Sequence, residues 1–151
     1  MIGEGCHFVD LAICLSGSLV ERVCVSAIPK PGLSAALWDD FSMVMSMANG
    51  SVATLAYTSI GDSSLPKERI EVSANGRSAV IDDFMAVELF DGGKKTRKKT
   101  GGDKGQANQM RAWIQGLREG KSPIPFDQIV NVHQVCLAAI RSMEQRESIR
   151  L

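Results

Sequence analysis

The amino-acid sequence predicts an α+β domain with a mostly antiparallel open sheet and helices packed on one face. Three observations carry that expectation. An apolar helical segment stands at the front, alternating strand-like stretches follow with two Asn-Gly pairs among them, and the apolar period lengthens to that of a helix from Gln106 onward. At 151 residues, 44% hydrophobic and 23% charged, the chain can build one domain with a core and is short for two of typical size.

The front helix follows from Phe8, Leu11, Ala12 and Leu15, which share the i, i+3, i+4, i+7 spacing of one face, with Gly17 as its C-terminal stop. Val9 and Ile13 add a second apolar face. His7, Asp10 and Cys14 form a polar stripe, which faces either solvent or a cleft. Residues 21–28 alternate, are rich in Val and end at Pro29-Lys30-Pro31-Gly32, so they read as a strand. Residues 39–48 set Phe41, Met43, Met45 and Met47 on one face, and Asn49-Gly50 predicts a type I′ turn into a partner strand over 51–59. A second hairpin is expected from 68–74 through Asn75-Gly76 to 77–81, and 86–90 adds a strand before Gly92-Gly93. Met110, Trp113, Ile114 and Leu117 then mark an amphipathic helix over 106–119, ending at Gly120 and packing by that face. Asp127 caps a last helix reaching about Arg146, lined by Ile129, Val132, Cys136, Ile140 and Met143, with His133 as a packing residue.

Composition narrows the function classes. Lys+Arg and Asp+Glu both total 17, so no global field recruits nucleic acid or an anionic membrane. Of the four cysteines none forms a CxxC pair, and three lie in apolar runs where thiols act as small hydrophobes, which fits a reducing cytoplasm. No apolar run is long enough to cross a bilayer. Neither GxGxxG after a strand nor GxxxxGK[ST] occurs, so a nucleotide would have to be bound by another segment. The basic run Lys94 to Lys99, flanked by glycine pairs, reads as a solvated loop.

The chemistry-bearing residues sit near the start. Imidazole titrates near neutrality, so His7 is a general acid/base or, equally, a satisfied helix-end histidine. Asp10, one turn on, is an orienting partner or a structural acceptor. Cys6 beside His7 points about 100° away on a helix, and no second cluster completes a metal site. Tyr57 and Lys67 could reach a substrate from strand ends. A hydrolase or isomerase using His7 with Cys6 or Glu4 ranks last, since nothing else in the chain supplies an oxyanion-hole motif or a nucleophile elbow.

The segment Ile2-Gly3-Glu4-Gly5-Cys6-His7-Phe8-Val9-Asp10-Leu11 resembles the motif that opens the helix in the C-terminal domain of the Gfo/Idh/MocA oxidoreductases. Leu65 to Val72, Gly76 to Phe84 and Pro123-Ile124-Pro125-Phe126 resemble later parts of that domain in the same order, and the likeness covers essentially all 151 residues. The resemblance implies a glyceraldehyde-3-phosphate dehydrogenase-like fold, with residues 1–151 forming one substrate-binding and oligomerisation domain of a two-domain enzyme. It implies that Met1 marks a fragment boundary, that a Rossmann domain binding NAD or NADP is absent, and that the fragment alone is inactive. His7 matches the family histidine that takes the hydroxyl proton while hydride leaves for the nicotinamide. Where many members carry an aspartate four residues earlier, this chain has Gly3, and Glu4 is the nearest carboxylate. The implied reaction moves a hydride between the cofactor and a hydroxyl of a sugar, cyclitol or nucleotide-sugar. Its implied partners are a sugar-like substrate and a second copy docked through the sheet. A non-catalytic dimerisation or ligand-sensing module of the same fold is the rival.

Overall fold

The computed structural model describes residues 3–151. Met1 and Ile2, and with them the expected boundary and the first residue of the opening motif, lie outside the described residues. The elements run α1 (Gly5–Ser16), β1 (Val20–Ala27), β2 (Phe41–Met47), β3 (Val52–Tyr57), β4 (Arg69–Ala74), β5 (Arg77–Asp82), β6 (Ala86–Asp91), β7 (Lys94–Lys99), α2 (Gln106–Glu119), α3 (Phe126–Gln145) and β8 (Ile149–Arg150). The class is α+β, and the strand pairings are antiparallel throughout. The strands divide between two four-stranded sheets, ordered β3-β2-β1-β8 and β4-β5-β6-β7. Two compact units result: residues up to Ile60 together with Ile124–Leu151, and Gly61–Pro123.

The first unit owes its core to strand alternation. Phe41, Met43, Met45 and Met47 all point inward, as their spacing predicts, and Val20, Val23 and Val25 of β1 join them. Val20 and Val23 share a face although they are three apart, because a bulge between Val20 and Arg22 shifts the register. Against this sheet α3 buries Val132, Val135, Cys136, Ala138, Ala139 and Met143. Ile129, expected on that face, is exposed, and His133 is exposed as well, its Nδ1 2.8 Å from the Ile129 carbonyl. The helix begins directly after Pro125, a residue before the predicted Asp127 cap, so that Asp127 instead sits in the first turn.

The inner face of α1 is Gly5, Val9 and Ile13, not the predicted row of Phe8, Leu11, Ala12 and Leu15. Both rows satisfy helical spacing; burial favours the one in which Gly5 adds no bulk at the contact. Gly17 stops the helix in the left-handed conformation at φ 64°, its N–H bonded to the Ile13 carbonyl at 2.9 Å. Cys14 and Cys24 are exposed although they lie in apolar runs, so the part of a small hydrophobe falls to Cys136, which is buried, and in part to Cys6.

The β2–β3 connection also differs in detail. Only Gly50 has positive φ, at 86°, and Gly50 N–H reaches the Met47 carbonyl at 3.0 Å, a type I turn closed by a left-handed glycine in place of the expected I′ pair. Asn49 is spent elsewhere: its Nδ2 donates to the Ser16 carbonyl at 3.0 Å and ties the hairpin to the end of α1. The I′ geometry does occur at Asn75-Gly76, with φ of 51° and 75°.

In the second unit the basic run is β7, an edge strand paired to β6 through Gly92-Gly93, and not a loop. Lys95 and Arg97 lie 2.9 and 3.8 Å from Glu88, which explains how so many cations are accommodated. Lysines on an unpaired edge also discourage strand addition. The helix α2 has its predicted span, but no residue of it is buried, and Trp113 and Leu117 are 53% and 64% exposed.

Candidate active site

His7 lies in the first turns of α1 and is exposed. Its backbone N–H donates to the Glu4 carbonyl at 3.1 Å, which starts the helix. Glu4 occupies the N-cap position without a side-chain cap hydrogen bond, and no acidic residue stands in the first turn. Asp10 is exposed on the same stripe, and no hydrogen bond or ion pair joins it to His7 among the described residues. The imidazole is therefore open to a ligand and not oriented by that carboxylate.

Beneath the turn lies an aromatic group. Tyr57, at the end of β3, stacks on Phe41 across the strand pair, with centroids 5.4 Å apart and planes at 12°. Phe8, the residue after His7, meets the Tyr57 ring edge-on at 6.0 Å. Tyr57 thus reaches the His7 turn through Phe8. Lys67 is exposed in the loop before β4, in the second unit.

One charged residue escaped the sequence reading. Asp40 is 3% exposed and immediately precedes Phe41. Its carboxylate accepts the Ser59 N–H at 2.6 Å, the Ser59 hydroxyl at 3.1 Å and the Thr58 hydroxyl at 3.2 Å, with the Lys30 ammonium at 3.6 Å. The Ser59 N–H above all, then these hydroxyls and Lys30, hold the carboxyl below the usual range. Lys30 also pairs with Asp39, which raises its own pKa. An Asp-Asp pair at a strand start looks like ordinary surface in a sequence; only the return of β3 reveals the acceptor role.

Two more polar groups act as structural partners. Asn131 is 6% exposed and bonds both the N–H and the carbonyl of Val20, at 2.9 and 3.0 Å. Ser142 accepts the Val25 N–H at 2.9 Å. β8 pairs only at Arg22 and Val23, and these two side chains satisfy further groups on that edge of β1. Burial pushes the Cys136 thiol up to about 11, with Cys6 adding to the effect.

Among the described residues no group of three His, Cys, Asp or Glu is placed to hold a metal. A shallow cavity of about 220 Å³ lies at the hairpin ends of the second unit, lined by Gly76, Ser78, Phe90 and Lys95 among others. None of Glu4, His7, Asp10, Tyr57 or Lys67 lines it. Among the described residues no helix is long and apolar enough to cross a membrane.

The fold has solved counterparts among oxidoreductases. A UDP-N-acetylglucosamine 3-dehydrogenase from Acidithiobacillus ferrooxidans superposes with a TM-score of 0.77 at 16% identity, over 93% of this chain and 45% of that one. An aldose-aldose oxidoreductase from Caulobacter crescentus, complexed with glycerol, gives 0.77 at 16% identity, over 97% and 46%. An oxidoreductase from Agrobacterium radiobacter in complex with NAD+, L-tartaric acid and magnesium gives 0.77 at 14%, over 97% and 47%. Neither a family model nor a curated protein matches the sequence. The chain has, then, the α+β fold of an oxidoreductase domain. The chain spans less than half the length of each of the three.

Proposed function

We propose that this chain is the substrate-binding C-terminal domain of a Gfo/Idh/MocA oxidoreductase that moves a hydride between NAD or NADP and a hydroxyl of a sugar, cyclitol or nucleotide-sugar. The observation that carries the reading is an exposed His7 on the opening helix of a fold that sugar-acting oxidoreductases share over nearly the whole of this chain. Both units of the chain serve that one domain.

The described strands pair only in antiparallel fashion and offer no parallel strand, glycine turn and helix to receive a pyrophosphate. In this reading the dinucleotide is held by a Rossmann domain elsewhere in the same protein. When bound, the nicotinamide supplies hydride acceptance and donation. What this chain supplies is a proton site: an imidazole nitrogen of His7 takes the hydroxyl proton as the carbonyl forms, and returns it in the reverse direction. In the same reading Glu4, just before α1, and Asp10, one turn beyond His7, bind substrate hydroxyls around the imidazole, and the Tyr57 ring supports the turn through Phe8.

The outer face of the first sheet carries Cys24, Ser26, Ser42, Val44, Thr54 and Ala56, all exposed and mostly small. Such a face of small side chains suits a second copy, and Val44→Glu should shift the protein toward the monomer in size-exclusion chromatography. A non-catalytic module is favoured by one observation only, the missing His7–Asp10 contact. Full-length protein assayed against aldoses and nucleotide-sugars decides between the two: substrate-dependent nicotinamide reduction supports the enzyme, and ligand binding without reduction supports the module.

A further inference from the structure

The first turn of α1 lacks the devices that normally hold a helix start. Glu4 makes no side-chain cap hydrogen bond, and no acidic side chain in the turn complements the helix dipole. A turn in that condition frays unless its side chains are anchored. Of the residues flanking His7, Cys6 is half-buried and Phe8 rests on Tyr57. Tyr57 in turn is sandwiched in place by Phe41 and the strand register Phe41↔Tyr57.

That register has its own lock. Asp40 stands one residue before Phe41, and Thr58 and Ser59 follow Tyr57 directly, so the carboxylate hydrogen bonds close the β2–β3 pair just beyond the two stacked rings. The Asp40 backbone carbonyl also accepts the Ile28 N–H at 2.8 Å, which adds the end of β1 to the same knot. A buried carboxylate with a full set of donors is costly to displace, because any slip of β3 leaves it unpaired.

We infer that Asp40 and Tyr57 are positioning residues for His7: the Asp40 clasp fixes the Phe41–Tyr57 stack, and the stack holds Phe8 and with it the turn that presents the imidazole. The catalytic meaning of this device rests on the hydride-transfer reading above, whereas the positioning itself does not.

The chain contains only two histidines, so its NMR spectrum has two imidazole Cε1–H signals, and His133 on α3 is a built-in reference. In Tyr57→Leu the His7 signal should shift or broaden while that of His133 stays put, and amide exchange at His7 and Val9 should rise at least about tenfold. Tyr57→Phe keeps the ring and should leave both signals as they are. Asp40→Asn should move His7 in the same sense as Tyr57→Leu. Met43→Ala serves as a control for general loosening of the core and should spare the His7 signal. An unmoved His7 signal in Tyr57→Leu overturns the inference, and so does an equal shift in Met43→Ala. In the full-length protein, Tyr57→Leu should lower kcat at least about tenfold with cofactor KM unchanged, and Tyr57→Phe should restore it. If the full-length protein transfers no hydride at all, the proposed reaction fails while the NMR comparison still decides the positioning.

Discussion

Every buried apolar side chain among the described residues belongs to the first unit, except Ala86. There, two helices close over one face of a sheet whose inward positions are Val and Met, and even the strand edge is satisfied by Asn131 and Ser142. The second unit is built on another plan. By register, Ile70, Val72, Ala79, Ile81, Val87 and Leu89 share one sheet face, yet none is fully buried. Hairpin ladders and polar fastenings hold it instead. Lys104 sits 2.7 Å from Glu68 and 4.9 Å above the Phe84 ring, while Gly102 N–H and the Thr100 hydroxyl both donate to the Phe84 carbonyl, in a turn where Asp83 and Phe84 have φ of 44° and 55°. The difference separates a self-supporting scaffold, which carries His7, from a region whose apolar faces are still available to other surfaces.

The largest test of this contrast is in core truncation. Met43→Ala should cost about 2–5 kcal/mol in denaturant unfolding, whereas Leu89→Ala and Trp113→Ala should each stay within about 0.5 kcal/mol. Comparable losses from all three would show that the second unit has a core of its own.

Next comes the strand edge. Asn131→Ala strips both partners from Val20 and should cost about 1–3 kcal/mol, measured the same way. A neutral result would mean that water replaces the amide, and that α3 contributes only its apolar face.

Thiol labelling gives a smaller, graded effect. Cys14 and Cys24 are exposed and should react promptly at pH 8, while Cys136, at about 11, is deprotonated there to only roughly one part in a thousand and should label last. Early loss of Cys136 would indicate that the α1–α3 contact opens easily.

The smallest effect is on acid stability. Because the folded state lowers the Asp40 pKa, its contribution is complete above the ordinary value of 3.8 and is lost as pH falls through the lowered one. Asp40→Asn should flatten that acid limb and leave its slope at neutral pH unchanged. An unchanged acid limb would remove Asp40 from the account.

Much of this was legible beforehand. Alternation in 41–47 announced the Met face, Asn75-Gly76 announced its hairpin, and the span of α2 followed from its punctuation at Gly120. The rest depended on tertiary choice. Two stripes on α1 met the same spacing rule, and only packing selected Gly5, Val9 and Ile13. The charge run at 94–99 hid a strand because its stabilising partner, Glu88, comes from a neighbour across a Gly-Gly turn. At the site, His7 stood out by residue type and by resemblance. The Asp40 clasp did not, since its donors lie eighteen and nineteen residues away. Nor did periodicity foretell that Asp10 would leave His7 unpaired.

Hydride transfer by full-length His7→Ala, followed through nicotinamide absorbance with the favoured sugar, tests the central claim most directly. The account predicts a fall in kcat of about 10²–10⁴-fold with cofactor binding intact. Wild-type turnover with an unaltered pH profile would contradict it.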